Sequence, residues 1–92
     1  MLSVIMSVFN NELSLKSSIE SILNQSYKDF EFLIMDDCST DNSHNILKDY
    51  ESRDSRIKVF RNSENIGLTK SLNILIEKSQ RDFIARQDGD DM

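Results

Sequence analysis

Three short runs hold the side chains best suited to chemistry: Ser7-Val8-Phe9-Asn10-Asn11-Glu12, Asp36-Asp37-Cys38-Ser39 and Asp88-Gly89-Asp90-Asp91. In the last, Asp88 and Asp90 are separated by a single residue. In an extended segment that spacing puts both carboxylates on one side. Two hard oxygen donors so placed suit Mg2+ or Mn2+, which complete their coordination with water and phosphate oxygens. Gly89 lets the backbone turn closely beneath a ligand. Taken alone, an Asp-x-Asp triplet is more often a solvated acidic turn than a metal site. A calcium-binding EF-hand is excluded, because the loop has no room for its later ligands.

Several of the remaining candidates carry two readings. Asp36-Asp37 follows an apolar run, where acid serves a helix N-terminus or accepts a hydrogen bond from a base N–H. Phe9 is a core residue or a platform for the face of a nucleobase. Asn10, Asn11 and Glu12 read as the start of a helix. Lys70 is a solvated helix lysine or a phosphate contact. His44 lies in a polar helix and reads as solvated. Cys38 reads as a small turn residue, since no general base is placed beside it.

Hydrophobic periodicity supplies the elements that position these runs. Leu2 to Phe9 is nearly all apolar, as in a strand covered on both faces. Leu15, Ile19, Ile22 and Leu23 form one stripe of a helix from about Glu12 to Gln25. Phe30 to Met35 is a second strand, and Ser39 to Asn42 offers N-caps for a helix reaching about Ser52. Ile57 to Phe60 is a third strand. Leu68, Leu72, Leu75 and Ile76 repeat the helical stripe, and Phe83-Ile84-Ala85 begins a fourth strand. This βαβαβαβ order predicts an α/β fold: a parallel, Rossmann-like sheet with helices on both faces. Ligands of such sheets bind beyond the carboxyl ends of the strands, where all three runs fall.

Composition narrows the partners. The 92 residues make one small domain, 1–92, with a net charge of −5 and no basic stripe, which argues against a nucleic-acid partner. A single cysteine excludes an internal disulfide and a multi-thiolate site. The opening apolar run is too short to span a bilayer. The single cysteine and the short apolar run fit a cytoplasmic protein, and the expectation for a full-length parent extends to the cytoplasmic face of a membrane. The sequence stops on its most acidic turn, which suggests a piece of a longer chain. Strand edges and apolar faces carrying Leu72, Ile76 and Phe83 would then be uncovered, and a homodimer is expected.

In order and spacing, five segments resemble glycosyltransferase family 2, whose members have the GT-A fold. They are Ser3 to Asn10, Ser18 to Tyr27, Phe32 to Asp41, Asn65 to Asn73 and Phe83 to Asp91. The resemblance spans the whole chain and implies half of a GT-A fold, the part that binds a nucleotide-diphosphate sugar. By position it implies that Phe9 stacks on the nucleobase with Ser7 beside it, and that Asp37 bonds the base edge. Asp88 would reach the ribose or the metal, and Asp90 would hold the metal. Asn10, Glu12 and Lys70 would line the pocket. It further implies a Mn2+ or Mg2+ cofactor and an inverting transfer to a saccharide or lipid-linked acceptor, in polysaccharide, lipopolysaccharide or glycoconjugate synthesis. The catalytic base would lie beyond Met92, leaving the 92 residues inactive alone. Two positions depart from the family pattern: Ser7 stands where proline is frequent, and Cys38 where glycine is. A phosphoacceptor signalling domain and a ligand-free assembly module are the alternatives. The first wants its acidic pair after strand one, not strand two.

Overall fold

A computed structural model of the chain describes residues 2–24, 29–79 and 83–88, the last six as backbone. The elements alternate as read from the sequence: β1 (Leu2–Val8), α1 (Glu12–Leu23), β2 (Phe30–Asp36), α2 (Ser43–Arg53), β3 (Ile57–Arg61), α3 (Leu68–Lys78) and β4 (Phe83–Asp88). The strands form one sheet in the order β3-β2-β1-β4, and every pairing is parallel. β1 ends at Val8, one residue before the sequence pattern suggests. Asn10 takes a positive φ of 52°, and the Phe9 amide donates to Asn11 Oδ1 at 2.9 Å instead of to a neighbouring strand. The turn therefore releases Phe9 from the sheet.

Side-chain alternation along the strands builds two cores. Val4, Met6 and Val8 of β1 and Phe30, Phe32 and Ile34 of β2 pack under Leu15, Ile19 and Ile22 of α1 and Leu47 and Tyr50 of α2. The intervening Ile5, Leu33 and Met35 pack under Leu72 and Leu75 of α3. One face thus carries two helices and the other carries α3, so the apolar strands of the sequence are covered on both sides. Leu72 is buried, contrary to its expected exposure, whereas Ile76 on the same helix is 45% exposed. The difference is rotational: Leu72 and Leu75 point at the sheet, and Ile76 stands at the margin of that stripe.

Polar links complete the scaffold. Tyr50 donates its hydroxyl to Glu20 at 2.6 Å, tying α2 to α1. Near the amino ends of the strands, the Ser3 hydroxyl donates to Glu31 at 2.6 Å and the Ser79 hydroxyl lies 2.6 Å from Ser3. No helix among the described residues is long and apolar enough to cross a membrane.

Candidate functional site

The carboxyl edge of the sheet gathers the sequence candidates. Ser7 sits in register with Met35 on one side and Asp88 on the other, and Val8 is in register with Asp36. The ends of β1, β2 and β4 are therefore neighbours. Phe9, 45% exposed, lies two residues beyond Ser7, which is buried in the strand. An aromatic this exposed is not a core residue. The backbone of Asp88 lies on the same edge. Asp90 falls outside the described residues. Among the described residues, no three His, Cys, Asp or Glu side chains cluster as a metal site would need.

Asp36 and Asp37 are consecutive at the end of an extended strand, so their side chains leave opposite faces of the sheet. Asp36 turns toward the α2 side. Its Oδ1 accepts from the Ser39 amide at 2.9 Å, and its Oδ2 lies 2.9 Å from His44 Nδ1. Asp37 turns toward α3. Its Oδ1 accepts from Asn62 Nδ2 and the Ile66 amide, each at 2.9 Å, and its Oδ2 from the Gly67 amide at 2.9 Å. Gly67 is the residue before α3, so Asp37 places negative charge at the positive end of that helix. The helix-terminus reading of the pair is realised, but on α3, the helix after the next strand. Asp37 is only 2% exposed. Among the described residues its Oδ2 accepts one bond, which leaves that oxygen capacity for one further donor.

Between these acids and α2 runs a tight turn. Cys38 adopts a φ of +64°, the left-handed region in which glycine is unstrained. Its thiol lies 3.6 Å from the Ser63 carbonyl. Glycine would be unstrained in this backbone, and Cys38 adopts it. Arg61, at the end of β3, donates to the Ser39 carbonyl at 3.1 Å and closes the turn from the other side.

Asn10 and Asn11 do more than start α1. The Asn10 amide donates to Ser39 Oγ at 3.0 Å, and Asn10 Oδ1 accepts from the Thr40 and Asp41 amides at 2.8 and 3.3 Å. The Asn11 amide donates to Ser43 Oγ at 3.0 Å. Asp41 accepts from the Ser43 amide at 2.9 Å and from the Glu12 amide at 3.3 Å. Burial pushes the Asp41 carboxyl up, but its bonds to Ser43 and Glu12 outweigh that and hold it below the usual range. The loops after β1 and β2 are thus stitched together, around a cavity of about 240 Å3 that includes Asn10, Glu12, Leu13 and Asp41. Glu12 and Lys70 are exposed, each in the first helical turn at this edge.

His44 is the clearest departure from the sequence reading. It is not a solvated helix residue: its side chain is 30% exposed and it bonds the fully buried Asp36. Asn62 carries no functional signal in the sequence, yet it bridges Asp37 and Ser71, with its Nδ2 3.0 Å from Ser71 Oγ. Nothing in the spacing of either residue announces these bonds, which join different elements. A second cavity, about 400 Å3, is lined by Glu31, Lys58, Phe60 and Lys78 on the α3 face. Glu31 is in register with Ser3 near the start of β1, so this cavity extends away from the carboxyl edge.

Comparison with known proteins agrees with this geometry. The family model described as "Glycosyl transferase family 2" matches residues 3–92. The Bacillus subtilis protein EpsE, itself only provisionally described as a glycosyltransferase, is 50% identical over 98% of this chain and 33% of its own length. Residues 1–349 of Staphylococcus aureus TarS, solved with UDP-GlcNAc, superpose with a TM-score of 0.88 at 28% identity, over 97% of this chain and 26% of that one. The mannosyltransferase PcManGT of Pyrobaculum calidifontis, solved with GDP-Man and Mn2+, gives a TM-score of 0.88 at 18% identity, over 97% of this chain and 27% of that one; at that identity the likeness is one of fold. The chain spans about a third of the length of the curated relatives it matches. The sheet is that of the GT-A fold, and the chain belongs to glycosyltransferase family 2.

Proposed function

We infer that residues 1–92 are the nucleotide-diphospho-sugar-binding part of a glycosyltransferase. The observation that carries this reading is the convergence of an exposed aromatic, Phe9, with Ser7, Asp37 and the Asp88 backbone on one sheet edge. The nucleobase would stack on Phe9, and a base N–H would donate to the remaining capacity of Asp37 Oδ2. Stacking on an aromatic face contributes about 1–3 kcal/mol per base where it has been measured by truncation. Glu12 and Lys70 stand at the rim, where Lys70 would meet phosphate. That TarS was solved with UDP-GlcNAc supports a nucleotide-sugar ligand here.

Asp88 and Asp90 would hold Mn2+ or Mg2+. Two carboxylates one residue apart are a hard-oxygen donor set suited to either ion, with positions left for phosphate oxygens, and the Asp88 backbone is in register with Ser7 at the carboxyl edge. Such an ion supplies positive charge to the diphosphate as it departs. PcManGT, solved with GDP-Man and Mn2+, supports this assignment. The sugar would pass to a saccharide or lipid-linked hydroxyl in the whole protein, at the cytoplasmic face of a membrane and in polysaccharide or glycoconjugate synthesis. No observation favours a phosphoacceptor or a ligand-free assembly role for a member of this family.

Calorimetry with UDP and MnCl2 tests the reading. Weak binding that depends on Mn2+ is expected in the wild type, and Asp90→Ala should abolish the metal dependence. Identical binding by the wild type and Asp90→Ala would contradict the metal assignment. No UDP or GDP binding at any Mn2+ concentration would overturn the pocket.

A further inference from the structure

We propose that His44 is a positioning residue of this pocket: its Nδ1–H holds the buried Asp36 carboxylate, and through it the turn that presents Asp37. The proposal rests on the nucleotide-binding reading of the carboxyl edge. Asp36 has no exposed surface, and a buried carboxylate is tolerated only where donors replace its water. Ser39 supplies one donor at Oδ1. Arg61 looks like the natural counter-charge, but its Nε is 3.7 Å from Oδ2, beyond a hydrogen bond. The Arg61 side chain is 45% exposed, and its Nη2 is directed to the Ser39 carbonyl. The side chain that hydrogen-bonds Asp36 Oδ2 is His44, at 2.9 Å. With the Asp36 carboxylate as acceptor, the tautomer that fits this bond carries its hydrogen on Nδ1.

The same acid is coupled to its neighbour. The Asp36 carbonyl accepts the Asn62 amide at 2.9 Å, while Asn62 Nδ2 donates to Asp37 Oδ1. Moving Asp36 therefore moves the residue that orients Asp37. Between the two acids and Ser39 lies the left-handed Cys38, a backbone that persists only where its surroundings fix it. α2 itself is anchored on the sheet by Leu47 and Tyr50, so loss of the imidazole should disturb the turn and leave the helix docked. Along its own helix His44 adds to the charge field at Glu51, which pairs with Lys48; from the other elements described, Asp36 on β2 bonds it directly and Arg61 on β3 lies beside that same carboxylate.

The test compares His44→Asn, His44→Gln and His44→Leu with the wild type, using UDP with MnCl2 as the probe. Asparagine keeps an N–H donor at the δ position, glutamine moves it to ε, and leucine has none. His44→Asn should bind UDP within about twofold of the wild type, and the other two about tenfold more weakly, the loss of roughly one hydrogen bond to a charged group. The amide resonances of Asp37, Cys38 and Ser39 should shift in His44→Leu and His44→Gln and stay near wild type in His44→Asn. Unmoved resonances with unchanged affinity in His44→Leu would overturn the proposal, as would His44→Asn behaving like His44→Leu. If His44→Leu does not fold, the asparagine–glutamine pair decides. Failure of the wild type to bind UDP would remove the pocket reading alone, since the resonances report on the turn without ligand.

Discussion

Replacing Asp37 by asparagine changes its size hardly at all and isolates the electrostatic share of its work. The carbonyl of the substituted side chain could still accept from Asn62 and the Ile66 amide, but its NH2 group would face the Gly67 amide, which now donates to Oδ2 at 2.9 Å. Two donors would then meet in a site where Asp37 is 2% exposed. Leaving a buried N–H without an acceptor costs about 1–3 kcal/mol. The two surviving bonds fall from charge-assisted to neutral strength, roughly half, adding about 1 kcal/mol. The expected destabilisation is therefore about 2–4 kcal/mol, against a total of about 5–15 kcal/mol for a domain. Urea unfolding should show a lower midpoint with an unchanged m-value, and the Ile66 and Gly67 amides should exchange faster with solvent. A loss below about 0.5 kcal/mol, with both amides still protected, would refute the idea that Asp37 anchors α3. The result bears directly on function: weakened nucleotide binding in an Asp37 variant means lost base recognition only after this loss has been measured.

Three further outcomes follow from local geometry. Burial, with the hydrogen bond to Glu20 next, raises the Tyr50 phenol from 10.0 to about 12; its stabilising contribution is complete below pH 10.0 and lost as pH rises to about 12. Tyr50→Phe should cost about 1 kcal/mol at neutral pH and remove that alkaline step; an unchanged alkaline unfolding curve would count against it. Cys38→Gly relieves a left-handed residue at about 1–2 kcal/mol and adds about 0.5–1 kcal/mol of unfolded-chain entropy, so a net gain of up to about 1.5 kcal/mol is expected by thermal unfolding, and a clear loss would show that the thiol contact at Ser63 matters more. Among the described strands, β3 and β4 each pair on one side only, and sedimentation should show the 92-residue chain self-associating; a monomer persisting at high concentration would contradict this.

The fold was largely legible because its signals are periodic. The stripe Leu15, Ile19, Ile22 marked α1, and the unbroken apolar run from Leu2 marked a strand covered on both faces; both sit where expected. The edge on which the acids collect followed from topology alone. Partner choice did not follow. Asp36 and Asp37 look like one acidic pair in the sequence, and strand geometry separates them onto opposite faces, a split that adjacency conceals until the end of β2 is fixed. His44 is the second residue of α2, so its bond to Asp36 depends on how that helix is rotated on the sheet. Asn62 meets Asp37 across a strand boundary, at a sequence separation of 25. Such bonds depend on tertiary placement, which periodicity does not encode.

The stitched loops at the carboxyl edge bear on how selectivity could arise. Asn10, Asn11, Ser39, Asp41 and Ser43 already satisfy one another, so an arriving molecule finds a rim with little conformational freedom left to surrender. Association then loses less to ordering, at about 0.5–1.5 kcal/mol for each side chain that need not be frozen. The same stiffness limits adaptation: a framework that cannot reshape itself must discriminate by what projects from it. Phe9 and Lys70 are exposed at that edge, and exchanging them, with the loops left intact, is the economical route by which related chains on this scaffold could come to prefer different ligands.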